Sequence, residues 1–246
     1  MWYAWYYNIP GGSLGPRNDW YWLNFRGILG SVATILFYVS MTHLDLGDSV
    51  AMTFIAPVIM PILANVWLKE SYSALDALAT LFAMSGVVFI SKPAILFGAD
   101  DAGGSSSPEG IVIGLVSALL ASVGNISIRK VSPNSHTIHI VNYMMLWTLP
   151  VCFGMIVYGY NTINFNLTPK ALFCFIIVSI CSFFGQFLMS RSLLTTPTRF
   201  VTPIIFSQVI FAYINQFLFW GVHPTQTSTM GVVLVAISLI LLSFKI

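Results

Sequence analysis

Charge is what this sequence lacks most. Only 7% of its 246 residues are Asp, Glu, Lys or Arg, against roughly 25% in an ordinary soluble protein. A water-soluble domain of this size must cover itself with polar groups, and too few are present. Cysteine is scarce as well. Cys152, Cys174 and Cys181 are the only three, all within apolar runs, which excludes a disulfide-stapled secreted module. The net charge of +2 comes without any Lys/Arg cluster, so no nucleic-acid partner is expected. Low hydrophobicity, the mark of a disordered chain, is missing too. Hydrophobic residues make up 57% and aromatics 15%, and the mean hydropathy is +0.84. That balance is the composition of an all-α integral membrane protein whose first partner is the lipid bilayer.

A helix needs about 20 mostly apolar residues to cross the hydrocarbon. Eight stretches qualify, at about 27–43, 50–68, 74–92, 110–128, 138–160, 171–190, 200–220 and 228–244. The third is the weakest, because Asp76 sits in its first turn. Gly221 to Gln226 divides the last two with a Gly, a Pro and three polar residues. The runs are continuous rather than alternating and are twice the length of a barrel strand, which argues against a β-barrel. Met1 to Tyr7 is too short to span and too aromatic for a signal peptide. It reads as the interfacial end of a helix whose body is absent.

If the N-terminal loop is cytosolic, the cytosolic segments hold Arg17, Arg26, Lys69, Arg129, Lys130, Arg191, Arg199 and Lys245. The other side holds Lys92 and Lys170. This positive-inside bias places both termini in the cytosol. The longest loop, 93–109, has the Gly/Ser chemistry of a flexible linker and is expected on the non-cytosolic side. Asn166-Leu167-Thr168 matches a glycosylation acceptor on that side. Pro169 follows it and the loop hugs the membrane, so occupancy is not expected.

The chain also repeats itself. At a shift of about 150, Phe37–Ser40 falls on Phe187–Ser190, Pro57-Val58-Ile59 on Gln208-Val209-Ile210 with one residue of slip, and Asn65–Leu68 on Gln216–Phe219. Gly86-Val87-Val88 resembles Gly231-Val232-Val233. The two copies run with opposite orientation, a transporter signature, because exchanging the conformations of two similar halves produces alternating access.

Arg26–Gly30, Asp48–Val58, Leu68-Lys69-Glu70 and Gly86–Pro93 together resemble the EamA-type repeat of the drug/metabolite transporter superfamily, and most closely the solute carrier 35 branch called group G. The resemblance implies ten helices in an inverted-repeat five-plus-five bundle around a central cavity. Against that plan the chain lacks the first two helices. Residues 1–92 are then a partial first repeat of three spans plus the end of a fourth. Residues 93–109 are the linker, and 110–246 a complete second repeat of five spans.

Polar residues within a bilayer are costly unless they face a cavity or each other. Candidate cavity residues therefore lie on polar stripes at helical spacing: Ser122 and Asn125 with Arg129; Ser182 and Gln186 with Ser179 and Ser190; Gln208 and Asn215; and Thr53 and Pro57 with Pro61. The competing reading is packing, since serines in membrane helices bond back to their own backbone or let helices approach. The amides are harder to hide, having several bonding sites each. Gly110 and Gly114 offer a small face for close packing. Spans 74–92 and 228–244, nearly free of polar side chains, are expected at the periphery, against lipid or a second copy in a homodimer. His136 and His139 lack further ligands, so no metal is expected. With no Gly-x-Ser-x-Gly elbow, paired His/Glu motif or phosphate-cradling loop, neither an enzyme nor a cofactor is expected. The expected function is multi-pass transport of a small organic metabolite, by a plasma-membrane or endomembrane protein. The alternative is a non-transporting membrane protein acting through protein partners.

Overall fold

The computed structural model describes residues 14–44, 46–91, 107–131, 135–157, 168–220 and 226–243. Eight α-helices and no strand occur among the described residues. They are α1 (Trp20–Met41, entered through a 3-10 turn at Arg17–Asp19), α2 (Leu46–Leu68), α3 (Ala74–Ser91), α4 (Pro108–Ser127, leaving through a 3-10 turn at Ile128–Lys130), α5 (Thr137–Val157), α6 (Pro169–Thr195), α7 (Thr198–Trp220) and α8 (Gln226–Ser243). Among the described residues five stretches are long and apolar enough to cross a membrane: Arg17–Met41, Ala51–Leu68, Pro108–Lys130, Thr137–Val157 and Pro169–Thr195. Ala74–Ile90 and Thr229–Leu241 are shorter apolar helices. Met1–Tyr7, most of the 93–109 linker, Asn166-Leu167 and the divider at 221–225 lie outside the described residues.

Each helix of the structure overlaps one sequence stretch, and the largest difference is at the start. The sequence stretch opens at 27, after a charge, whereas α1 begins at Trp20 and carries Asn24 and Arg26 inside it. A charge ends an apolar run on paper. It does not end a helix whose neighbours leave room for the side chain.

The helix ends are built from local polar chemistry. Asp76 sits in the first turn of α3 because it closes half of a capping box: its Oδ2 accepts the Ser73 N–H at 2.9 Å. Ser107 caps α4, its hydroxyl accepting the Gly110 N–H at 3.1 Å, with Pro108 and Glu109 in the first turn. Glu70 accepts the Thr198 N–H at 2.8 Å, placing a carboxylate at the positive end of α7. Arg129 does the converse for α6, donating to the Leu193 carbonyl at 3.0 Å. Lys69, with φ 55°, turns the chain out of α2, and the Asn65 amide then donates to the Glu70 carbonyl at 2.8 Å.

The helices belong to two compact units, whose division falls inside α1 and α4. One comprises residues up to Ile35 and Gly124–Thr195; the other comprises Leu36–Val123 and Thr196–Ile246.

In the first unit α1 lies on α5. Gly27 makes the approach close: a Cβ there would stand 2.7 Å from Trp147 and 2.8 Å from the Tyr143 carbonyl. On either side of it the helices are tied by hydrogen bonds. The Trp147 indole donates to Asn24 at 2.9 Å, and the Ser31 hydroxyl reaches the Met144 carbonyl at 3.1 Å and Thr148 at 3.0 Å. Such bonds and close small-residue contacts hold helices together where lipid removes the hydrophobic incentive. Phe183 of α6 packs against buried Ile138 of α5.

In the second unit α2, α3, α7 and α8 share a core of Phe54, Ala83, Val87, Phe206 and Val235. The rings of Phe54 and Phe206 stack with centroids 5.5 Å apart. The tightest approach is between α3 and α8. A Cβ on Gly86 would lie 2.6 Å from the Gly231 carbonyl oxygen, and one on Gly231 would lie 2.5 Å from that of Gly86. The two spans expected at the periphery therefore pack on each other. Each also keeps an exposed apolar face, with Leu78 and Leu81 on α3 and Met230 and Val233 on α8.

Candidate functional site

The eight residues expected to line a path fall into both units. Thr53, Pro57, Ser122, Gln208 and Asn215 are in the second unit; Asn125, Ser182 and Gln186 are in the first.

Ser122 is the most firmly placed. It is fully buried, and its single hydroxyl proton lies within reach of the Ala118 carbonyl at 2.7 Å and the Ala56 carbonyl of α2 at 3.0 Å. The latter bond brings Ser122 to the residue before Pro57, which is itself buried. Gly114 and Ala118 lie on the same face of α4. Gly114 is packed against Met52, where an added Cβ would stand 3.2 Å from the side chain, and Ala118 is buried. That face of α4 therefore meets α2 at Ser122 and at Gly114. Gly110 continues it against His43 and Leu44, at 2.8 and 2.9 Å from a hypothetical Cβ.

Pro57 and Pro61 each remove a backbone N–H from the ladder inside α2. Thr53, one turn earlier, is exposed, as are Gln208 and Asn215 on α7. In the first unit Asn125 and Gln186 are half-buried and Ser182 is exposed. On the same helix as Ser182, Ser179 bonds back to the Phe175 carbonyl at 2.7 Å, a common way for a serine to satisfy itself in a membrane helix. The N-terminal half of α6 shows large apolar side chains on every face, Phe173, Phe175, Ile177 and Ile180 among them. Along α8 runs a shallow, open hollow bordered by Thr229, Met230 and Val233. Among the described residues, none of the eight borders it.

The charged groups have mostly local work. Arg199 reaches the Ser71 hydroxyl and carbonyl and stands over the Phe200 ring at 4.7 Å. His136 accepts the Ile138 N–H on Nδ1 at 3.2 Å, and its ring lies 6.4 Å from those of His139 and Phe187. Burial and the nearby Arg191 cation push its pKa below the usual histidine value. Among the described residues, no three His, Cys, Asp or Glu side chains gather as a metal site would require.

Sequence reasoning passed over the polar ladder of α1, because a span drawn from residue 27 leaves out Asn24 and Arg26. The available signal was the Gly27/Gly30 pair, which flags a helix face that another group must approach closely.

With this geometry in view, a family model described as the EamA-like transporter family matches residues 2–92 and 108–244. The chain belongs to that family. It is accordingly a multi-pass integral membrane protein of the drug/metabolite transporter superfamily, related to transporters of small solutes. Human Solute carrier family 35 member G1 is 30% identical over 92% of this chain and 63% of its own length. The mouse protein of the same name is 28% identical, over 92% and 62% respectively. The chain thus spans less than two thirds of the length of these relatives. A pseudopaline exporter of Pseudomonas aeruginosa is 22% identical over 89% of this chain and 73% of that protein. One solved crystal structure superposes with a TM-score of 0.76 at 10% identity, covering 94% of this chain and 79% of the other, a likeness of fold alone.

Proposed function

We propose that this chain is a carrier for a small organic solute, working by alternating access between two inverted copies of one helical module. In this reading all eight helices cross the bilayer with both termini cytosolic. Residues 1–92 belong to the first copy and 110–246 to the second. The observation that carries the proposal is the contact between Gly86 and Gly231, which the internal repeat aligns with each other. Gly86 faces the Gly231 carbonyl and residue Val235, four further along; Gly231 faces the Gly86 carbonyl and Ile90, four further along. Such a reciprocal meeting of equivalent residues is what a two-fold axis relating two copies would produce, as in an isologous contact. An inverted repeat places such an axis in the membrane plane.

In this reading the candidate lining residues Thr53, Asn125, Ser182, Gln186, Gln208 and Asn215 are themselves polar and uncharged, and Pro57 and Ser122 are the other two candidates. Exporters and solute carriers among the relatives support a small organic metabolite as cargo. The test is uptake by the full-length protein, in cells and in reconstituted vesicles, for Gln186→Ala and Gln208→Ala. Each variant is expected to lower flux severalfold at unchanged membrane abundance. Normal flux in both would remove these amides from the path. An absence of flux from the unmutated chain in vesicles would favour a protein that acts through partners instead.

A further inference from the structure

Arg26 is a cation in an unusual place. It lies within the apolar stretch Arg17–Met41 and is only 3% exposed. Its Nε–H meets no acceptor, and among the described residues no hydrogen bond or ion pair reaches the guanidinium. A buried charge without a partner is expensive, and in a membrane it marks a functional group by default.

The direction of the side chain adds to this. Long side chains near a helix start normally lean back toward the N-terminus, and a membrane arginine there reaches for the interface. Arg26 instead folds forward over Gly30, one turn further into the span. Gly30 is what admits it: a Cβ at that position would collide with Nη1, and all three of its nearest atoms belong to the guanidinium. Gly124 of the neighbouring helix covers the group from the other side, its hypothetical Cβ 3.7 Å from Nη1 and 3.4 Å from Leu29. Two glycines on two helices thus form a slot that fits a planar guanidinium and holds it away from the surface.

The geometry points to an anion-binding site at Arg26, where the guanidinium takes the carboxylate or phosphate of a small organic anion. Arginine suits this role, because its planar fork matches either group with two parallel hydrogen bonds and never loses its charge. A soluble solute and an anionic lipid headgroup offer the same chemistry. If the occupant is cargo, the site names its class, and that step rests on the carrier reading. Binding does not rest on it, so the two are tested by different measurements.

The experiment is thermal unfolding of the purified full-length chain in detergent, followed by tryptophan fluorescence at constant ionic strength. Succinate and inorganic phosphate are titrated in one arm, and phosphatidylserine against phosphatidylcholine in the other. Wild type is expected to melt about 3 °C higher at roughly ten times the dissociation constant of an anion that fits. Arg26→Gln is expected to lose the rise, and Arg26→Lys to keep a reduced one. Gly30→Ala gives a second route should Arg26→Gln fail to fold. Alanine favours the helix, yet its methyl displaces the guanidinium, and the rise should disappear. A rise with succinate or phosphate identifies a soluble anion; a rise with phosphatidylserine alone identifies a lipid headgroup, and both uphold the site. The inference is overturned if no anion shifts the wild type, or if Arg26→Gln and Gly30→Ala shift as much as the wild type does. Flux is not read in this assay, so a carrier lacking the site and a site without a carrier give different results.

Discussion

Asp76 shows how a single residue can look functional for want of its partner. It is a carboxylate inside an apolar run, the kind of group that couples protons in transporters. The structure gives it the Ser73 N–H instead, and the Asp76 carbonyl accepts from Thr80 at 2.8 Å. Its place is that of a helix cap. Asp76→Ala should therefore cost about 1 kcal/mol, seen as a fall of about 2–4 °C in melting temperature. Asp76→Asn keeps an oxygen acceptor and should transport normally at every pH. Loss of flux in Asp76→Asn at unchanged abundance would point to a proton-coupling role for the carboxylate instead. Ser122 teaches the same lesson from the other side. Its helical spacing with Asn125 is visible in the sequence, but spacing says which residues share a face and not what that face meets. Here the hydroxyl meets the Ala56 carbonyl.

At the scale of the helix, most of the fold was legible because lipid imposes a simple rule. Every backbone polar group must be satisfied within the segment, so length and apolarity alone pick out the spans. The starts were less legible. Trp20 to Arg26 reads as a loop because it is aromatic and charged, yet Gly27 and Gly30 make room for Trp147 and for the guanidinium, and the helix runs through. Pairing between helices was also hidden, since two apolar spans look alike whether they face lipid or each other. The Gly86–Gly231 contact decides it for α3 and α8. Gly86→Ala should force the main chains apart and lower the melting temperature by about 2–12 °C, as overpacking costs roughly 1–3 kcal/mol. Gly154→Ala on α5 is the control. Nothing lies within 4 Å of the added methyl, and alanine is the better helix former, so no fall is expected. Equal effects at both positions would show that the close contact does not carry the packing.

For the whole molecule, the EamA-like family match covers both stretches that flank the 93–109 linker, and the proposed arrangement makes a sidedness prediction. With eight crossings, positions 45 and 223 both lie in non-cytosolic loops. Single cysteines introduced as Asp45→Cys and His223→Cys, in a background without Cys152, Cys174 and Cys181, should be blocked by an impermeant maleimide added from that side. Labelling from opposite sides would refute the inverted arrangement. The loops themselves carry no periodic pattern, which is why sequence places them only by the charges around them.

The bond from Ser122 to the Ala56 carbonyl has a consequence for movement. A helix interrupted by Pro57 and Pro61 is weakest at that level, and α2 would flex there before anywhere else. The hydroxyl of α4 ties α2 to its neighbour at that level, so a bend of α2 there strains the bond between them. Were that hydroxyl deleted, the bend would be released locally, and the rocking motion of the proposed carrier cycle would be absorbed at the middle of α2 instead of reaching its far end.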